Sequence, residues 1–133
     1  MQINEIYNEN CLDTMKRMPD NFLDLTVTSP PYDNLRTYKG FIFPFEKIAK
    51  ELYRVTKIGG VVVWVVGDAT IKGSETGTSF RQALFFMECG FRLHDTMIYH
   101  KSTPPLRTTD TNSILSTCLF LAKVSQSHLM LFL

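Results

Sequence analysis

The chain has 133 residues, a length for about one domain with a hydrophobic core of its own. Its 14 Lys and Arg nearly cancel 13 Asp and Glu, which excludes the strongly basic footprint of a small free-standing nucleic-acid binder, so any such contact must be local. Three cysteines, Cys11, Cys89 and Cys118, form neither a CxxC pair nor an even disulfide framework, and the polar N-terminus and the interrupting Lys123 leave no signal peptide or membrane span; the expectation is a soluble, cytoplasmic protein without a metal site.

In chain order, INEIY reads as a short strand, followed by Asn10 as cap of a helix CLDTMKRM, with Asp13 three positions on as partner in a capping box. FLDLTVT reads as a second strand. Phe45, Ile48, Leu52 and Val55 recur at steps of three, four and three, the apolar face of a helix expected to stop at Gly59 and Gly60. The run VVVWVV then reads as a strand covered on both faces in a parallel sheet. A Gly/Ser/Thr-rich loop over residues 68–78 leads to a helix with Phe80, Leu84 and Met87 inward, closed by Gly90, and RLHDTMIYHK reads as the last strand. Alternating strands and helices predict an open α/β sheet, whose sites lie beyond the carboxyl ends of its strands.

That rule draws attention to Thr28, Ser29, Pro30, Pro31 and Tyr32, directly after the second strand. A residue before proline is pushed out of the helical region, so Ser29 and Pro30 are both held extended. Neither proline has an N–H to donate. The segment is stiff and offers carbonyl oxygens and the Ser29 hydroxyl, with the flat ring of Tyr32 beyond. An amino group on an aromatic base is a poor nucleophile because its lone pair is delocalised into the ring. Two fixed acceptors could hold its hydrogens and favour a pyramidal nitrogen, which makes methyl transfer possible. The segment is expected in a concavity at the end of a central strand, bordered by Asn10 and Asp68.

The stretch NENCLDTMKRMPDNFLDLTVTSPPYDNLRTY resembles the DNA amino-methyltransferases, which methylate the exocyclic amino group of adenine or cytosine using S-adenosylmethionine. Their motif (Asp/Asn/Ser)-Pro-Pro-(Tyr/Phe/Trp) is matched by Ser29, Pro30, Pro31 and Tyr32. The resemblance implies that Ser29 and the Pro30 carbonyl grip the amino group while Tyr32 stacks on a base flipped from double-stranded DNA. ELYRVTKIGGVVVWVVGD and GFRLHDTMIYHKSTP are similar to later parts of the same family, so the likeness covers about residues 3–110. It implies a Rossmann-like α/β, S-adenosylmethionine-dependent fold present in part, as an N-terminal catalytic half. It also implies Asn10 beside the cofactor's adenosine and a restriction endonuclease as a partner the family allows; Asp68, by its place after the buried strand, is a second candidate to line the cofactor site, although an acidic loop residue after a strand is common. Arg36, Lys39, Lys101 and Arg107 become candidate phosphate contacts, although each alone reads more often as a solvated surface charge.

Other features set the expected limits. No Asp-Pro-Phe-x-Gly-x-Gly turn for the cofactor occurs, which fits the permuted order of the family in which the catalytic motif comes first. From Ser113 onward the only Lys, Arg, Asp or Glu is Lys123, an abrupt shift from the charge-rich body. Residues 111–133 are accordingly expected to be an atypical tail, with Ser113 to Leu133 packing poorly, arising from a change of reading frame near residues 111–113, although ILSTCLFLA could also form a buried strand. Alone, the chain is expected to be inactive. The alternatives are an RNA or protein-glutamine methyltransferase, or a non-catalytic remnant serving as an interaction module; adenine versus cytosine stays open.

Overall fold

The computed structural model describes residues 3–31, 43–100 and 115–124. Helix α1 (Cys11–Arg17) begins where Asn10 takes an extended backbone and its side-chain oxygen accepts from the Leu12 amide at 3.0 Å, satisfying one of the free N–H groups of the first turn. Asp13, expected to complete a capping box, pairs instead with Lys16 at 3.0 Å. The strand expected at INEIY is not formed. Ile6 is 99% exposed and Asn4 takes a φ of 64°, and among the described residues no strand pairs with this short stretch.

Strand β1 (Leu23–Thr28) runs parallel to β2 (Thr56–Val66), and α2 (Phe45–Val55) makes the crossover between them. Ile48, Ala49, Leu52 and Val55 bury one face of α2, as the spacing of apolar residues requires. The helix ends earlier than Gly59 and Gly60. The chain passes from Val55 straight into β2, and the Thr56 hydroxyl donates to the Leu52 carbonyl at 2.6 Å. Gly59, at φ 85°, lies where the ladder slips: Leu23 faces Thr56 but Leu25 faces Val61.

After β2 come a small hairpin, β3 (Thr70–Ile71) and β4 (Ser74–Glu75), within the expected loop, then α3 (Thr78–Glu88), β5 (Arg92–His100) and β6 (Leu115–Ala122). The main sheet has the order β1-β2-β6-β5, with β6 antiparallel to both neighbours, so that β1, β2 and β5 run in one direction. This is a Rossmann-like α/β arrangement with one reversed strand. β5 is therefore not the last strand. Nor does the tail pack poorly where it is described: β6 sits between β2 and β5, Leu119 is 2% exposed and Leu121 fully buried. Lys123, just beyond β6, donates to the carbonyls of Tyr53 and Thr56 at 2.8 and 2.9 Å and to the Asn21 side chain at 3.0 Å, which caps the carboxyl end of α2.

Two expectations about faces are corrected. In α3 the buried residues are Ser79, Gln82, Ala83 and Phe86, while Phe80, Leu84 and Met87 face out. Both sets obey helical spacing; the inward set wins because Phe86 enters an aromatic cluster with Phe45, Trp64 and Phe91. Among the described residues, VVVWVV is covered on one face only. Val62, Trp64 and Val66 are buried under the helices, whereas Val61, Val63 and Val65 are half-buried. The end of α3 is as expected: Gly90 takes a φ of 112°, and a Cβ there would stand 2.7 Å from the Tyr53 ring.

Two polar links fasten the helices. The Trp64 indole N–H donates to Gln82 Oε1 at 2.8 Å in the core between β2 and α3. Arg54, from α2, donates to the carbonyls of Met15 and Met18 at 2.7 and 2.9 Å, satisfying the carboxyl end of α1, and pairs with Glu51 and Asp20. Among the described residues no helix is long and apolar enough to cross a membrane.

Candidate active site

β1 carries Thr28, Ser29, Pro30 and Pro31 off its carboxyl end. Ser29 is exposed, Pro30 buried and Pro31 half-buried, so the prolines anchor the turn while the serine stands at its rim. These residues form one lip of a cavity of about 490 Å³. Thr26 and Thr28 line it from β1, Thr14 and Met15 from α1, Ile48 and Leu52 from α2, with Trp64 behind them. Tyr7, Glu9 and Cys11 close the side toward the N-terminus. Because Thr26 and Thr28 pair with Val62 and Trp64, the cavity lies on the face of the sheet that the helices cover. Among the described residues β1 is an edge strand of the sheet rather than the expected central one.

The lining joins apolar surface to hydroxyl groups. Among the described residues Thr26 Oγ1, buried there, has no hydrogen-bond partner, and is an orphaned polar atom of the kind that a bound polar ligand relieves. Glu9 brings the carboxylate. It accepts from Arg17 Nη1 at 3.0 Å and from the Thr14 hydroxyl at 2.8 Å, and Arg17 Nη2 makes a second, close contact. The hydrogen bonds from Arg17 first, then from Thr14, hold the Glu9 carboxyl below its ordinary range, and Glu9 in turn raises Arg17. The Arg17 guanidinium also lies over the Tyr7 ring, 5.4 Å from its centre, tying the N-terminal segment to α1.

Of the residues singled out from sequence, the structure brings Ser29, Pro30 and Pro31 to this cavity. Asn10 sits between two lining residues, Glu9 and Cys11, with its side chain holding the start of α1. Asp68 does not border the cavity. Its carboxylate accepts from the Ser79 amide at 3.0 Å and the Thr76 hydroxyl at 3.2 Å, and closely from the Ser79 hydroxyl, so it secures the start of α3 instead. Tyr32, Arg36, Lys39, Lys101 and Arg107 lie outside the described residues. Among the described residues no His, Cys, Asp and Glu cluster could hold a metal ion. Burial pushes the Cys89 thiol up, away from the thiolate a nucleophile would need.

Sequence reasoning passed over Tyr7, Glu9 and Thr26, and took Thr28 only as the start of the motif turn. A signal for the threonines was present in LDLTVT, where threonine alternates with Leu25 and Val27. A strand whose helix-facing side is hydroxyl-bearing lines a site rather than a packed core.

A family model described as DNA methylase matches residues 23–128. Orphan methyltransferase M.BamHII of Bacillus amyloliquefaciens is 73% identical over 84 residues, 63% of this chain and 32% of the relative. Type II methyltransferase M.BglII of Bacillus subtilis is 38% identical over 72 residues, 49% of this chain and 20% of the relative. The chain thus spans about a third or less of the length of these two relatives. Among solved structures, PvuII DNA methyltransferase (cytosine-N4-specific) superposes with a TM-score of 0.70 at 22% identity, over 89% of this chain and 48% of its own. A Thermus thermophilus protein described as a DNA modification methylase, complexed with S-adenosyl-L-methionine, gives 0.67 at 24% identity, over 87% and 51%.

Proposed function

Because the chain belongs to the DNA methylase family, we propose that it carries the amino-gripping part of an enzyme that methylates the exocyclic amino group of adenine or cytosine in DNA. The observation that carries this reading is the stiff Ser29-Pro30-Pro31 turn at the carboxyl end of β1, on the lip of the 490 Å³ cavity. The Ser29 hydroxyl and the Pro30 carbonyl serve as acceptors for the two amino hydrogens. Holding both draws the nitrogen toward a pyramidal shape and frees its lone pair. The prolines keep the acceptors in place, since Ser29 and Pro30 each precede a proline and are held out of the helical region, and neither proline has a competing N–H to donate. Tyr32 supplies the stacking face for a base flipped out of the duplex. Arg36, Lys39 and Lys101 are proposed phosphate contacts that fix the register of the DNA.

S-adenosylmethionine, when bound, supplies an activated methyl group on its sulfonium. The cavity fits such a molecule in part: Met15, Ile48 and Leu52 give an apolar wall, and the unpartnered Thr26 hydroxyl a polar contact. Tyr7 and Cys11 would help to hold it, with Asn10 as a proposed adenosine contact. The chain lacks the glycine-rich turn, so on its own it is expected to transfer little. Positioning contributes roughly 7–11 kcal/mol in well-oriented reactions between two substrates, and half a site forfeits much of that. A restriction endonuclease acting on the same DNA is the proposed biological partner, in keeping with the Type II name of M.BglII.

The test is a chimera in which this chain replaces the corresponding segment of the Bacillus amyloliquefaciens relative. With labelled S-adenosylmethionine and mixed-sequence DNA, the chimera should transfer methyl groups to base amino nitrogens, whereas the 133-residue chain should not. Tyr32→Ala should lower transfer about 5- to 150-fold, the equivalent of losing a stacked base at about 1–3 kcal/mol, and Pro30→Ala should also lower it. An active chimera indifferent to both substitutions would overturn the proposed roles.

A further inference from the structure

The crossover from β2 to α3 is interrupted by the β3–β4 hairpin, whose strands enter neither the core nor the cavity lining. It rises from the same edge of the sheet as Ser29. Thr28 pairs in parallel with Trp64, so the chain leaves β2 at Val66, two positions beyond the level at which it leaves β1. Neighbouring strands stand about 4.8 Å apart, which puts the root of the hairpin beside the Ser29–Pro30 turn.

A two-stranded hairpin is marginal by itself, and this one is fastened at its base. The Thr76 amide donates to the Ala69 carbonyl at 2.9 Å, the Ala69 amide to the Thr76 hydroxyl at 3.3 Å, and that hydroxyl to Asp68 at 3.2 Å. Arg81 of α3 adds donors to the Thr76 carbonyl at 2.8 Å and the Thr78 hydroxyl at 3.2 Å. Ala69 is buried, whereas Ile71, Lys72, Gly73, Ser74 and Glu75 are all exposed. A firm base therefore carries a tip that stands in solvent.

The tip has a residue its backbone does not explain. Lys72 and Gly73 take φ of 51° and 79°, the pair of positive values that marks a type I′ turn. Such turns favour asparagine, aspartate or glycine at the first of these positions, because a short polar side chain can bond locally and glycine has no Cβ. A lysine gains nothing of the kind, so the reason for it lies outside the hairpin. Among the described residues its ammonium makes no ion pair or hydrogen bond, whereas Lys16, Lys57 and Lys123 are all engaged. Next to it Ile71 is 61% exposed and faces Ser74 across the ladder, while Glu75 lies one pair further back, opposite Thr70. The leading charge is positive, with an apolar group and a hydroxyl at its side.

We propose that the β3–β4 hairpin rests on the sugar-phosphate backbone of DNA beside the target base, with Lys72 as a phosphate contact and Ile71 against the deoxyribose. A chain whose net charge is only +1 must place its DNA contacts locally, and this one stands on the edge where the base would enter. Lys72 then helps to fix the register of the duplex over the Ser29 turn. The inference rests on the DNA methylase reading and not on the chemistry assigned to Ser29.

Fluorescence anisotropy of a labelled mixed-sequence duplex, titrated with the 133-residue chain, tests it. Lys72→Asn creates the favoured Asn-Gly turn, so the thermal midpoint should hold or rise while the affinity for DNA falls. Between about 50 and 200 mM salt, one phosphate contact accounts for about 3.5-fold in affinity, and the variant's salt-induced loss should shrink by that factor. Lys72→Arg should bind as the unaltered chain does. Lys57→Gln removes the same charge at the amino end of β2 and should leave DNA affinity unchanged. A Lys72→Asn chain with unaltered affinity and salt slope, or a Lys57→Gln chain that loses as much, would overturn the proposal and leave the methylase reading standing. An unaltered chain that binds no duplex would overturn the proposal and count against that reading as well.

Discussion

At the scale of single residues, three polar side chains fasten neighbouring elements. Arg54 closes the end of α1 through two backbone carbonyls and is held firmly charged by Glu51 and Asp20. Arg54→Met should destabilise the chain by about 1–3 kcal/mol in urea titrations, because those carbonyls lose their donors. Gln82→Leu should cost a similar about 1–3 kcal/mol by orphaning the Trp64 indole N–H, and the loss should show in tryptophan fluorescence as well as in the midpoint. Glu9 sets a pH dependence. Its carboxyl is depressed when folded, so its pairing stabilises the chain above the ordinary value of 4.5 and is lost as pH falls through the folded value. Carboxyl-carbon NMR should find Glu9 titrating below its ordinary value, and Arg17→Ala should move it back up; a Glu9 titration unmoved by that substitution would contradict the Glu9–Arg17 pairing as its cause.

Among the elements, α3 and β6 test how far a sequence pattern can be trusted. In α3 two apolar sets share the same period, and only the tertiary partners decide between them. Phe86→Ala should cost about 3–5 kcal/mol, whereas Phe80→Ser or Leu84→Ser should each stay within about 0.5 kcal/mol, as measured by denaturant midpoints. The motif turn was legible because paired prolines act locally, and the same holds for the Asn10 cap. The cavity beside the turn was not, since its walls come from Tyr7, α1 and α2, which sequence separates. In β6 the charge-poor composition has a packing explanation, because a strand between β2 and β5 has little room for charge. A chain ending at residue 114 should therefore lose cooperative unfolding altogether, leaving β2 and β5 with no strand between them; a sharp thermal transition in that truncation would contradict the role of β6.

For the molecule as a whole, the α/β class followed from the alternation of elements, and the reversed strand did not, because no local pattern encodes the direction in which a strand enters a sheet. The one-sided core likewise escaped notice, for VVVWVV is apolar at every position and looks the same whether one face is covered or two. What such a run does reveal is tolerance for cover on either side.

The Lys123 cap on α2 also sets a sequence of events. Its ammonium reaches the Tyr53 carbonyl across 70 positions and Asn21 across 102. During synthesis α2 and β2 emerge long before the donor that closes their junction, and β5 emerges before the strand that must separate it from β2. Pairings this distant are slow to close, so the described sheet should assemble only after Lys123 has left the ribosome. Lys123 should then act after the rate-limiting step. In stopped-flow measurements Lys123→Ala should speed unfolding while leaving the refolding arm nearly unchanged, and a refolding rate that falls in proportion to the lost stability would place the cap in the nucleus instead.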